Sequence, residues 1–184
     1  MSLTITHAGN SVTPNTGPIR SGGQVIRVTP TLHAATSADN DVICLTTEIP
    51  NAVATLGGAS KLTSLMFTCQ QALNLNIDII LMQVETQYSA SLGSGLNISD
   101  PNLVASKVLG VIMWDKAPIT LNGNEVNQFA APGASSDGAV TGQLPIMLQA
   151  ADNSTSIYFT IIDRDGGDTF AADDLEFVFG IEYL

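Results

Sequence analysis

Short β-branched and aliphatic runs, each bounded by Gly, Pro, Asn or Asp, set the pattern of this chain. Val25-Ile26-Arg27-Val28-Thr29 is β-branched and short, and Pro30 then suggests either an edge strand or the strand's end. Val42-Ile43-Cys44-Leu45 follows, closed by Glu48-Ile49-Pro50-Asn51. After Gly57-Gly58, residues 61–69 alternate imperfectly, with Leu62, Leu65 and Phe67 predicted inward. Residues 76–85 form a stronger strand, with Ile77, Ile79 and Leu81 on one face and Asp78 starting the other. Residues 108–114 read as a buried strand, and 143–150, 156–163 and 175–183 as three closing strands. Residues 88–99 and 122–142 are polar and Gly/Ser-rich and read as loops. One helical turn is expected over 101–107, with Asp100 as N-cap and Pro101 in the first helical position.

Eight or nine short strands and almost no helix predict an all-β fold. A single jelly-roll-like β-sandwich fits that strand number and the long crossing loops. Residues 1–23 are punctuated by Asn10, Pro14, Asn15, Gly17, Pro18, Gly22 and Gly23 and keep neither period. They predict an extended N-terminal arm, followed by one β-sandwich domain over 24–184. No internal repeat and no domain linker is evident.

Composition narrows the partners. The chain has 184 residues, 45% of them hydrophobic, enough for a buried core. Six basic against 17 acidic residues give 6 − 17 = −11, yet charged residues are only 12% of the chain. The usual share is about 25%, so the surface is built from Ser, Thr, Asn, Gln and Gly. Six scattered cations cannot neutralise a phosphate backbone, which argues against nucleic acid. An anionic membrane surface would repel the chain, and no apolar run nears the roughly 20 residues of a spanning helix. The opening MSLTITHAGNSVTPN has no basic start and no continuous apolar stretch, so no signal peptide is expected. The expectation is a soluble intracellular product, or one that leaves a cell without a cleavable signal.

Candidate chemistry is sparse. Cys44 and Cys69 lie in strand-like segments and read as buried free thiols rather than a bridge. His7 and His33 have no partner at ligand spacing, so no zinc site is predicted. Nucleophile-elbow, P-loop and dinucleotide motifs are missing. The best chemical candidate is Asp163-Arg164-Asp165-Gly166-Gly167-Asp168, followed by Asp173-Asp174. Such carboxylates suit calcium, but the sixth position, where an EF-hand loop needs glycine, is Asp168. A solvated turn, with Asp and Gly serving turn geometry, is the preferred reading. Neither metal, cofactor nor catalytic residue is assigned, and the chain is read as a non-enzyme. A sugar platform would show exposed aromatics. Aromatics are only 5% here, and the single tryptophan, Trp114, belongs with an apolar strand and reads as core.

A compact β domain with an extended arm and no catalytic motif suits a protein that works by contact. Thr47-Glu48-Ile49-Pro50-Asn51-Ala52, Gly57-Gly58 before Lys61-Leu62-Thr63-Ser64-Leu65, and Ile98-Ser99-Asp100 are similar to a family of small tailed-bacteriophage structural proteins. So are Ser154-Thr155-Ser156-Ile157-Tyr158, Thr169-Phe170-Ala171-Ala172-Asp173-Asp174-Leu175 and Phe177-Val178-Phe179-Gly180-Ile181. The resemblance spans residues 41–184 and leaves the first 40 outside it. It implies a capsid decoration (cement) protein on the outer surface of the virion, bound to the major capsid protein, often as a homotrimer. It carries no catalytic residues. The arm is expected to reach a neighbouring subunit, with Thr4, Ile5, Ile19, Arg20, Val25 and Arg27 as candidate contacts. The alternative is a receptor- or glycan-binding β-sandwich module of a phage tail or fibre. A surface-layer or matrix protein is a second rival, from which repeats or a secretion signal would be expected.

Overall fold

The computed structural model describes residues 22–71, 75–114 and 144–184 with their side chains, and the backbone alone at 115 and in four short strands elsewhere. In chain order the described elements are β1 (Ile5–His7), β2 (Asn10–Val12), β3 (Gly23–Val28), β4 (Asp41–Ile49), β5 (Ala59–Cys69), β6 (Asn76–Met82), β7 (Ser94–Gly95), the helix α1 (Asp100–Ser106), β8 (Val108–Asp115), β9 (Ile119–Leu121), β10 (Asn124–Ala130), β11 (Ile146–Gln149), β12 (Ile157–Asp163) and β13 (Leu175–Tyr183). The fold is all-β, with two antiparallel sheets of order β3-β13-β5-β10-β9 and β7-β4-β12-β6-β8. β11 takes the stretch of β5 that β10 leaves open, pairing with 59–62 while β10 pairs with 64–69. Inside the segment expected to be an arm, β1 and β2 pair with each other, Ile5 opposite Val12; residues 13–21 lie outside the described residues.

The pairing is nested. β3 pairs with β13, β4 with β12, β5 with β10 and β6 with β8, like one long hairpin. Contacts of β13 with β5 and of β12 with β6 then wind that hairpin into two sheets. β3 falls at a sheet edge, one of the two readings that Pro30 allows.

Side-chain alternation builds the core between the sheets. Leu62, Leu65 and Phe67 of β5 and Ile77, Ile79 and Leu81 of β6 are all buried there. The imperfect alternation of β5 has a local cause. Its register against β13 jumps from Ser64 to Leu62, so Thr63 is an extra residue. A bulge of this kind returns Leu62 and Leu65 to the same face despite their spacing. Five aromatic rings then join the sheets. Phe159 of β12 lies 5.4 Å from both Phe177 and Phe179 of β13. Phe67 of β5 lies 5.3 Å from Trp114 of β8, edge to face. Cys44 and Cys69 are both buried and form no disulfide.

Several expectations are corrected. Residues 124–130, read as part of a loop, form β10, because the open edge of β5 pairs with a segment whose own pattern is weak. β8 is not buried throughout. It ends its sheet, and Val108, Val111 and Met113 are exposed while Ile112 and Trp114 face the core. Ser99, not Asp100, holds the N-cap position of the helix, without a side-chain capping hydrogen bond; Asp100 is its first residue, and Lys107 leaves it with φ 51°. The Gly/Ser-rich segment 88–99 is a loop as expected, apart from the two-residue β7, but it packs on the sheet. Tyr88 is buried, and with Val42, Ile80, Met82 and Ile162 it makes a second apolar cluster, against which Ile98 packs.

The aromatic join makes a stability prediction. Phe177→Ala should cost about 3–5 kcal/mol, whereas Val111→Ala should change stability by less than about 0.5 kcal/mol. Urea unfolding of both variants checks the contrast; equal losses would contradict the placement of the core.

Candidate functional site

The contact residues expected on the arm can be followed only in part. Val25 and Arg27 lie on β3, two residues apart, both exposed, with buried Ile26 between them. Arg27 Nη1 is 2.9 Å from Glu176 Oε2 on neighbouring β13. An exposed pair of this kind contributes at most about 1 kcal/mol. Ile5 sits in β1, with only its backbone described, and Thr4, Ile19 and Arg20 lie outside the described residues.

The acidic turn after β12 brings three carboxylates together among the described residues. Asp163, the last residue of β12, is completely buried. One of its carboxylate oxygens accepts from the Ser37 hydroxyl; the other accepts the backbone N–H groups of Asp165 (3.3 Å) and Gly166 (3.2 Å). This is an Asx-type turn, the reason Asp is suited to the end of a strand that reverses. The turn is clipped to residues 36–40 from several sides. Ser37 N–H donates to Asp168 O and Gly167 N–H to Ser37 O, while Asn40 N–H donates to Asp163 O. The Thr36 and Thr169 hydroxyls lie 2.7 Å apart. Gly166 has φ 65°, and a Cβ there would stand 2.6 Å from the backbone nitrogen of Asp39. Only glycine satisfies both the left-handed backbone and that approach.

Asp165 and Asp168 are brought to Asp163, with one carboxylate oxygen of each within 4.8 Å of the others. Burial pushes Asp168 up to about 6, and the neighbouring charges of Asp163 and Asp165 push the same way. Asp168 Oδ2 is buried without a hydrogen-bond partner. Arg164, the nearest cation in sequence, turns elsewhere: Nε is 3.3 Å from Asp78 Oδ2 and Nη1 donates to Asn40 Oδ1 at 2.6 Å. Asp174 belongs to a different turn, where its carboxylate accepts the Ala171 N–H at 2.5 Å and the Gln71 side-chain amide.

Among the described residues, Asp163, Asp165 and Asp168 are the group that could hold a metal ion. They offer three oxygens where calcium takes six to eight. Protonation of Asp168 would relieve the same repulsion without an ion. Ser37 was missed from sequence, and nothing in Thr36-Ser37-Ala38-Asp39 marks it as the partner of a carboxylate 126 positions away. His33 joins no metal-binding group among the described residues, and its ring fills the space beside Gly93. Burial pushes the Cys44 thiol up to about 12, only partly offset by the Thr47 hydroxyl, which leaves it inert as a nucleophile at neutral pH.

No protein-family model matches this chain, and no curated protein matches it.

Two measurements test the turn. With its pKa about 6 in the folded chain against the ordinary 3.8, Asp168 binds its proton more tightly when folded. Its contribution to stability is therefore full below about pH 4 and is lost as pH rises through 6. Asp168→Asn should flatten the stability profile between pH 4 and 6; an unchanged difference between the two proteins across that window would contradict the carboxylate cluster. For a turn rather than a cation site, millimolar calcium should leave the melting temperature of both proteins unchanged. A calcium-dependent rise in the unsubstituted protein, absent in Asp168→Asn, would reassign the group.

Proposed function

We propose that this chain is a structural virion protein, a decoration or cement protein that binds the outside of a phage head through its major capsid protein and works by contact rather than catalysis. The observation that carries the reading is the way the chain enters the sandwich. β3 is an edge strand, and Val25 and Arg27 are exposed on it, directly after the segment expected to reach a neighbour. The resemblance of residues 41–184 to phage structural proteins supports it. Residues of those segments lie on the framework: Ile49 faces Ile157 across β4 and β12, Gly57 N–H donates to Ser154 O, and Phe177 and Phe179 stand in the aromatic join.

The nested pairing of β3 with β13, β4 with β12, β5 with β10 and β6 with β8 supports a jelly-roll reading of the sandwich. That architecture serves viral capsid and lectin domains alike, so fold alone does not choose between them. Exposure favours the first. Among the described residues the exposed large hydrophobics are aliphatic side chains and methionines; Trp114, Tyr88, Phe67, Phe159, Phe170, Phe177 and Phe179 are buried, and Tyr158 and Tyr183 are half-buried. A glycan platform on a tail or fibre would need such rings at the surface.

The mechanism is linkage. A protein that binds the assembled shell and not its free subunits stabilises the shell by about 4 kcal/mol per site at roughly a thousandfold excess over its dissociation constant. Repeated over the lattice, this opposes the outward pressure of packaged DNA. The charge of −11 keeps decorated particles mutually repelling and disfavours a place against the genome.

Removal of residues 1–21 should weaken co-sedimentation with undecorated heads while the β-sheet circular dichroism and the unfolding midpoint persist. Val25→Asp with Arg27→Glu, confined to exposed positions of β3, should weaken binding in the same direction. Unchanged binding in both proteins would overturn the arm and β3 as the contact.

A further inference from the structure

We draw no further inference here: the strongest candidate, the carboxylate cluster of Asp163, Asp165 and Asp168 in the turn after β12, is an acidic cluster whose unpartnered oxygen belongs to Asp168, a side chain still partly exposed, and no second observation in the structure points to a ligand.

Discussion

The contact of Phe159 with Phe177 and Phe179 is the interaction on which the rest of the molecule depends. Each sheet is held internally by its ladders, but a ladder cannot hold one sheet to another. That task falls to apolar side chains meeting between them, and aromatic rings bury the most area per residue. β12 and β13 are also the strands through which the nested hairpin is wound, each paired on both edges. Their side chains therefore fix both the spacing of the layers and the order of strands within them.

That junction also explains where the acidic turn sits. The turn joins β12 to β13, so it must carry the chain from one sheet to the other over a short distance. Asp163 is drawn into the interior at the end of β12 and is compensated there by Ser37 and two backbone N–H groups. Asp165 and Asp168 follow it because Gly166 permits the tight reversal. The raised pKa of Asp168 is thus a consequence of strand crossing, of burial first and of like charge second. Charge at this turn is a feature of how the fold closes.

Much of the fold was legible before the structure. Leu62, Leu65, Phe67, Ile77, Ile79 and Leu81 were all readable as core, because alternation reports directly on which face is dry. The edge position of β3 was one of two readings that Pro30 allowed, the other being the strand's end. What escaped reading was nonlocal. β10 exists because β5 has an edge to fill, and Val108, Val111 and Met113 are exposed because β8 ends its sheet. Neither fact is written in the local pattern. The same holds for the candidate site. The Asp163–Asp168 carboxylates could be picked out by composition, but the burial of Asp163, the part played by Ser37 and the separation of Asp174 are set by the meeting of distant segments. Val25 and Arg27, the expected contacts, are exposed on an edge strand.

The functional account joins an acidic, polar sandwich with inward aromatics to a segment entering along a sheet edge. Under the proposed function, such a chain would sit on a virion shell and act through many equal contacts. Quantitative mass spectrometry of purified particles, with this chain measured against the major coat protein, tests that most directly. The account predicts a copy number of the same order as the coat subunits. A few copies per particle would move the chain to the tail and contradict a decoration role, and absence from particles would contradict any place in the virion.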